Sequence, residues 1–204
     1  MQVKLLTTPE QISDMEHNAA YAMLICHANA DKLKDETPRS FIEKAIKAGH
    51  DSILEHITLT YEVKTLSRAC LQELARHRHI SLSVESTRHT LRKRVFDYDW
   101  VDYITQIIND DLRGPFLADI DLFKAIFNGT STSNDDTKKF LREYWPTNLV
   151  LTANVRELRH IVKLRTNPAA LPEFQELAIN LVEELPERYK YFLADCVYNN
   201  EKND

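Results

Sequence analysis

The chain has 204 residues and a net charge of −5, with 43% hydrophobic and 28% charged residues, a composition typical of a globular protein long enough to bury a core. No apolar run reaches the roughly 20 residues that cross a bilayer, and the N-terminus lacks the long apolar segment of a signal peptide. The three cysteines are widely spaced and form no CxxC pair, which indicates free thiols of a cytoplasmic protein and excludes a disulfide framework.

The first fifty residues predict a short strand and two helices. Residues 2–6 have the composition of a strand. Thr8-Pro9-Glu10-Gln11 combines an N-cap threonine, a proline at the first helical position and a glutamine that can complete a capping box. A helix should therefore run from here to about Ala28. Thr37-Pro38 predicts a second helix start of the same kind, and Gly49 supplies its C-terminal cap.

A strand and another helix are expected next. β-forming and polar residues alternate over 57–63, which is the period-two pattern of a half-buried strand. Leu66, Cys70 and Leu74 recur at helical spacing. Arg76-His77-Arg78 therefore falls near the C-terminal end of that helix, where cations also suit the helix dipole.

The second half of the chain predicts mainly helices. We expect helical pieces within 101–127, an exposed loop at 129–134, a brief β stretch at 149–152 and a helix at 154–165. Asn167-Pro168 and Leu185-Pro186 should separate two final helices, and 199–204 should be a frayed tail. The chain is expected to form a single helix-rich α+β domain over residues 1–204.

The most distinctive local composition is a cationic stretch on this acidic chain. Residues 76–94 hold six cations against one carboxylate, Glu85, which indicates a local anion site. The three glycines form no GxG pair, so side-chain cations rather than a glycine-rich turn would have to bind phosphate. A solvated basic surface explains the same composition equally well.

A second cluster lies on the predicted helix 154–165. At helical spacing, Asn154, Leu158, Ile161 and Arg165 share one stripe. An arginine at the end of an apolar stripe needs an anionic partner if it is buried. A helix with ordinary surface charge remains the alternative.

Two other chemistries find little support. Glu55-His56 and His50 lack further ligands at metal-binding spacing, so no metal site is predicted. Ser86 is not surrounded by the GxSxG elbow of a serine nucleophile.

Taken together, these segments resemble the flavin-dependent thymidylate synthases. The signature of that family is Arg-His-Arg, seven residues, then Ser, and it is met at Arg76-His77-Arg78 and Ser86. Further blocks follow in the family's order around this signature: Glu55-His56, Arg88, and the helix with Asn154, Arg156 and Arg165. The resemblance covers roughly residues 50–197.

The resemblance implies an enzyme that transfers a methylene group from methylenetetrahydrofolate to C5 of dUMP, with FAD, recharged by NADPH, supplying the hydride. It implies a small, mostly antiparallel sheet and a homotetramer with shared active sites. No nucleic acid or membrane partner is expected.

The resemblance also implies the site residues. The expected flavin contacts are His56, Thr58, Arg76, His77, Arg78, Asn154, Arg156 and His160. The expected substrate contacts are Glu73, Arg76, Val84, Glu85, Ser86, Thr87, Arg88, Lys138 and Arg165. Arg165 matches the catalytic arginine that favours loss of the N3 proton of the pyrimidine, since a fixed guanidinium stabilises the charge that builds up.

The chain departs from the family pattern at several positions. Glu73 stands where many members have glutamine, Val84 where glutamate is usual, and His89 where tyrosine is common. Lys138 matches a family arginine, with Arg142 as a competitor, and a lysine lacks the bidentate fork.

Two alternative functions remain. Because of Glu73 and Val84, the chain could transfer a one-carbon unit to another pyrimidine nucleotide, for example by hydroxymethylation. A nucleic-acid-binding module could use 76–94 as a basic patch and would bind in a salt-sensitive way. The net charge of −5 and the few aromatics among those cations disfavour this module.

Overall fold

The computed structural model describes residues 1–26, 28–29, 31, 33 and 37–199. Its single sheet is antiparallel with the strand order β1-β2-β4-β3, where the strands are β1 Gln2–Leu5, β2 Thr58–Ser67, β3 Ile80–Val84 and β4 Pro146–Asn154. The helices are α1 Pro9–Cys26, α2 Pro38–Ala48, α3 Arg68–Leu74, α4 Thr87–Val95, α5 Tyr98–Ile107, α6 Asp110–Gly129, α7 Asn134–Thr137, α8 Val155–Arg165 and α9 Pro172–Glu183. The predicted helix-rich α+β fold with a small antiparallel sheet is confirmed.

The start of α1 and the end of α2 form as the sequence predicts. The Thr8 N–H donates to Gln11 Oε1 at 2.8 Å and the Gln11 N–H donates to Thr8 Oγ1 at 3.3 Å, which is a reciprocal capping box. Gly49 caps α2 with a φ of 73°, a left-handed conformation that glycine adopts without steric cost. Helix α1 ends at Cys26, two residues before the expected end.

The strand β3 is absent from the sequence prediction. The sequence analysis predicts no element for residues 80–84, whereas the structure places them in an edge strand. The alternation of Ile80, Leu82 and Val84 with two serines is the period-two signal that identifies it. Strands β2 and β4 are also longer than the predicted ranges 57–63 and 149–152.

The structure has helices in the second half of the chain, as predicted, but several of them begin or end at other residues. Helical pieces within 101–127 are confirmed as parts of α5 and α6, and the loop expected at 129–134 narrows because α6 includes Gly129 and α7 begins at Asn134. The segment after Leu185-Pro186 forms a 3-10 helix, Glu187–Phe192, instead of an α-helix. Of the expected tail, residues 200–204 lie outside the described residues.

The chain divides into two compact units. The first unit comprises Met1–Gln2, Val63–Glu73 and Ser83–Leu149. Its core surrounds Trp145, which is 2% exposed and lies with its ring centroid 5.5 Å from those of both Phe116 and Phe123. Such aromatic pairs add packing energy beyond area burial.

The second unit comprises Val3–Glu62, Leu74–Leu82 and Val150–Asp204. Its core includes fully buried side chains such as Ile12, Leu158 and Phe174. The hydroxyl of the buried Tyr61 donates to the Leu181 carbonyl at 3.1 Å, so this buried polar group is satisfied. Among the residues that the structure describes, no helix has the length and apolar character needed to cross a membrane.

Candidate functional site

In the second unit, the turn between α3 and β3 positions His77. The turn is closed by the His77 N–H donating to the Leu74 carbonyl at 3.1 Å. His77 is buried, whereas its neighbours Arg76 and Arg78 are exposed. The Arg-His-Arg motif is therefore one buried imidazole between two solvent-facing cations.

Two side chains of α8 contact the two nitrogens of His77. Nδ1 lies 3.3 Å from Glu157 Oε1, and the Nε–H of Arg165 donates to Nε2 at 3.2 Å. Glu157 is held in the first turn of α8, where its backbone N–H donates to Asn154 Oδ1 at 2.9 Å. Asn154 thus serves as the N-cap of the helix that carries both partners.

The surroundings of His77 favour its neutral form. Burial and then the positive charge of Arg165 lower the pKa of His77 from 6.5, and the opposing contact with Glu157 does not cancel them. A neutral imidazole can accept a hydrogen bond at one nitrogen while it donates at the other. This agrees with the hydrogen bond that His77 Nε2 accepts from the Nε–H of Arg165.

Arg165 lies in the last turn of α8 and is half-buried. Its Cζ is 4.5 Å from the centroid of the Phe174 ring, which is a cation–π contact. Leu158 and Ile161 of the predicted stripe are fully buried. The contacts of Arg165 include an imidazole and an aromatic face, and neither contact was predicted from the sequence.

A cavity of about 720 Å³ opens beside α8 in the second unit. Its wall is formed by cations and other polar side chains, by three carboxylates and by one thiol: Arg156, Arg159, Lys163, His79, His160, Asn154, Asp51, Glu55, Glu157 and Cys196. Burial raises the pKa of the Cys196 thiol to about 11, so this cysteine is protonated at neutral pH and is a poor nucleophile.

The cavity contains one exposed ion pair, between Arg156 and Glu55. Exposed pairs of this kind contribute little to stability. The guanidinium can therefore exchange Glu55 for an anionic ligand at low cost.

In the first unit, the segment Ser86-Thr87-Arg88 begins helix α4. Ser86 is the N-cap residue, and its side chain makes no capping hydrogen bond. The first N–H groups of a helix have no partner within the helix. The start of α4 therefore presents backbone donors, an exposed hydroxyl and the exposed cation Arg88 on one short segment.

Residues of helix α7 bind Arg88 of this segment and also Lys138. Asp135 accepts from Arg88 Nε at 2.9 Å and from Lys138 Nζ at 2.5 Å. Asn134 donates to the Arg88 carbonyl at 2.9 Å. One aspartate thus brings together two residues that are 50 positions apart in the sequence.

Glu85 is committed to contacts within the first unit. Its two oxygens accept from Arg94 at 2.9 and 3.1 Å, and Oε2 also accepts from the Asn148 amide at 2.6 Å. Burial favours a raised pKa for Glu85, but the hydrogen bonds from Arg94 and Asn148 outweigh it and lower the pKa. Glu85 is therefore a charged anchor between α4 and β4.

The comparison with known proteins agrees with the resemblance found in the sequence. Residues 7–189 match the Thy1 family, described as thymidylate synthase complementing protein. A flavin-dependent thymidylate synthase of Campylobacter jejuni is 35% identical over 162 residues, which are 76% of this chain and 78% of that protein. One from Wolinella succinogenes is 34% identical over 197 residues, 88% of this chain and 95% of that protein.

The chain belongs to the flavin-dependent thymidylate synthase family. Thymidylate synthase X from Helicobacter pylori, solved with FAD and dUMP, superimposes with a TM-score of 0.83 at 28% identity, covering 98% of this chain and 100% of that chain. A UMP/dUMP methylase from Streptomyces cacaoi shares the fold, with a TM-score of 0.68 at 19% identity, covering 96% of this chain and 92% of that chain. The family resemblance read from the sequence is confirmed.

The structure brings together some of the site residues predicted for a flavin-dependent thymidylate synthase. Asn154, Arg156 and His160 line the cavity of about 720 Å³. Thr58 lines a different cavity of about 480 Å³ in the second unit, and the exposed His56, Arg76 and Arg78 line neither. In the first unit, Arg88 and Lys138 meet at Asp135, while Val84 is 37% exposed and Glu73 is half-buried.

Four residues with evident roles in these clusters were missed by sequence reasoning: Asn134, Asp135, Asn148 and Glu157. Glu157 carried a usable signal, because an acidic residue in the first turn of a predicted helix suits the helix dipole. The others lie on α7 or β4, whose contacts with α4 depend on long-range packing. Among the described residues, no group of three or more His, Cys, Asp or Glu could hold a metal ion.

Proposed function

We propose that this chain methylates dUMP to dTMP, using methylenetetrahydrofolate as the carbon donor and NADPH-reduced FAD as the hydride source. Membership of the flavin-dependent thymidylate synthase family supports the activity and its FAD. The observation in the structure that carries the proposal is Arg165, whose guanidinium is held by His77 and Phe174.

The residues of the second unit fit a flavin nucleotide. The wall of the larger cavity offers the cations Arg156 and Lys163 and the hydrogen-bonding groups of His160 and His79, which suit a ligand that carries phosphates. We assign Asn154, Arg156 and His160 to FAD, with His56, Thr58, Arg76, His77 and Arg78 as the further contacts that the resemblance implies. When bound, FAD supplies the hydride.

The start of α4 suits the phosphate of dUMP. Backbone N–H groups at a helix N-terminus favour anions, and Ser86, Thr87, Arg88 and Lys138 surround this helix start. Arg88 can hold two phosphate oxygens through its fork, whereas Lys138 acts as a point charge. Glu73, Arg76, Val84 and Glu85 complete the substrate contacts implied by the resemblance.

Arg165 acts on the pyrimidine. A guanidinium keeps its charge at any physiological pH and, held at the ring, stabilises the negative charge left when N3 loses its proton. That charge makes C5 a better nucleophile. Because Arg165 is oriented before substrate binds, little reorganisation is required in the transition state.

The assembly and location belong to the same proposal. We assign the chain to a cytoplasmic homotetramer in which subunits share active sites, with each chain a single domain over residues 1–204. The three cysteines are free in the structure, which agrees with a reducing compartment.

Replacing Arg165 tests this function. Arg165→Ala should lower the rate of dTMP formation by at least roughly a hundredfold, the scale of losing one charge-stabilising donor, and should leave FAD absorbance in the purified protein. Arg113→Ala, which removes an arginine paired with Asp110 on α6, is the matched control and should keep full activity. Full activity in Arg165→Ala would show that another residue activates the pyrimidine.

Product analysis distinguishes the alternative substrates. The wild-type protein is incubated with methylenetetrahydrofolate, NADPH, FAD and either dUMP or dCMP. The proposal expects dTMP from dUMP and no conversion of dCMP. Consumption of dCMP alone, or a hydroxymethyl product, would replace it with the related transferase.

A further inference from the structure

Glu157 is a buried acidic residue that no step of the proposed reaction uses. It is 8% exposed and lies in the first turn of α8, where the helix dipole favours a negative charge. Burial of a carboxylate is nevertheless costly unless it accepts hydrogen bonds. The contact of its side chain with His77 Nδ1 therefore suggests a role beyond helix capping.

The hydrogen-bonding partners of His77 determine where its proton lies. The Nε–H of Arg165 can only donate, so His77 Nε2, 3.2 Å away, presents its lone pair. The imidazole proton then resides on Nδ1, which faces the Glu157 carboxylate at 3.3 Å. In the opposite tautomer, two N–H groups would face each other at Nε2 and a lone pair would face the carboxylate, so both contacts would become repulsive.

The direction in which Arg165 points depends on this tautomer. The ring of Phe174 supports one face of the guanidinium, but a ring face attracts a cation without specifying its rotation in the plane. A single N–H at Nε, bound to a fixed lone pair, does specify that rotation. His77 is itself immobilised, since its side chain is 5% exposed and makes edge contacts with Phe174 and His160.

We propose that Glu157 is a positioning residue for Arg165: it holds the proton of His77 on Nδ1 and thereby keeps the Nε2 lone pair available to orient the guanidinium. The inference rests on the proposed function, in which Arg165 acts on the pyrimidine, and it adds a support that the family signature alone does not specify. Glu157 also lines the cavity assigned to FAD, so the tautomer of His77 is the readout that separates this role from an effect on flavin binding.

The test compares two variants with a matched control. Glu157→Leu removes the acceptor while filling the space, and Glu157→Gln removes the charge but keeps an acceptor oxygen. Glu183→Gln, on α9 and paired with Lys190, removes the same charge away from the site. One readout is the ¹H–¹⁵N spectrum of the imidazole nitrogens in ¹⁵N-histidine-labelled protein, with His77 assigned by its loss in His77→Gln. The other is the separate measurement of kcat and of the KM for dUMP.

The expected result links the two readouts. Wild type and Glu183→Gln should carry the His77 proton on Nδ1, and Glu157→Leu should shift it toward Nε2. Glu157→Leu should lose about 10- to 100-fold in kcat, the same cost as removing a carboxylate that orients a metal-bound histidine, with KM for dUMP changed less than about threefold. In Glu157→Gln, kcat should fall in proportion to the loss of the Nδ1–H tautomer of His77.

Each of three results would overturn the inference. These are a wild-type His77 with its proton on Nε2, a Glu157→Leu variant with unchanged tautomer and kcat, and a loss of kcat without any change of tautomer. If Glu157→Leu folds poorly, the spectra of wild type and of Glu157→Gln still test the inference, because they are recorded without substrate. Absence of dTMP formation by wild type would instead remove the proposed function and leave the tautomer result standing.

Discussion

His77 is a buried titratable group, and its pKa links the stability of the protein to pH. Burial and Arg165 lower this pKa below 6.5, so between the lower folded value and the ordinary value the unfolded chain binds more protons than the native state. The free energy of unfolding therefore rises with pH through this range. The contribution of neutral His77 is present above pH 6.5 and is lost as the pH falls through its folded pKa.

Replacement of His77 by a residue that does not titrate tests this dependence. The difference in unfolding free energy between wild type and His77→Gln should be larger at pH 7.5 than at pH 5, as measured by urea denaturation at constant ionic strength. His17→Gln, at an exposed position of α1, controls for the loss of a histidine. A difference that grows toward low pH would mean that His77 is stabilised in its charged form.

At the scale of elements, α8 carries two arginines with different expected roles. Arg159 is 13% exposed in its side chain and binds Asp195 through both terminal nitrogens, at 2.7 Å each, and the Phe192 carbonyl at 2.7 Å. Arg156 is 54% exposed and pairs with Glu55. Both arginines line the cavity assigned to FAD, but the contacts of Arg159 tie α8 to the C-terminal segment, whereas the exposed Arg156 can exchange Glu55 for a ligand.

The same substitution at these two positions should separate stability from binding. Arg159→Ala should lower the free energy of unfolding by about 2 kcal/mol, because it removes charge-assisted hydrogen bonds from a mostly buried site. Arg156→Ala should change the free energy of unfolding by less than about 1 kcal/mol, because an exposed ion pair contributes little to stability. It should also weaken FAD binding. Urea denaturation and FAD titration measure the two effects. Equal loss of stability in both variants would contradict this division.

The elements that the sequence predicted are those with local signals. The capping box at Thr8 and the glycine cap at Gly49 place α1 and α2 without knowledge of the rest of the fold. Strand β3 has a period-two pattern, but it is short and half-exposed, and its identity depends on pairing with a distant strand. Helix α7 has four residues, too few for a periodic pattern.

The candidate site, too, was predictable from the sequence only where its residues are close together in the chain. The Arg-His-Arg and Ser motifs are contiguous in sequence and were recognised with their family. The contacts between Glu157 and His77 span 80 positions, and those between Asp135 and Arg88 span 47. Such pairings follow from tertiary packing, so no local pattern could have predicted which carboxylate meets which cation.

At the scale of the whole molecule, the two compact units share every strand of the sheet. The chain passes between the units at 2/3, 62/63, 73/74, 82/83 and 149/150, and each of these points lies inside β1, β2, α3, β3 or β4. Boundaries of independent domains usually fall in exposed linkers that few contacts cross. A boundary that repeatedly divides hydrogen-bonded elements is therefore expected to separate parts of one folding unit.

This connectivity predicts a single cooperative unfolding transition. Both tryptophans, Trp100 and Trp145, belong to the first unit, so their fluorescence reports on that unit alone. Far-UV circular dichroism also follows α1, α2, α8 and α9 of the second unit. If one unit unfolded first, strands β2 and β4 would each lose half of their length while the other half stayed folded, so we expect the two probes to give the same midpoint and the same slope in urea. A fluorescence transition displaced from the circular dichroism transition would show that the units unfold separately, and residues 1–204 would then form two domains.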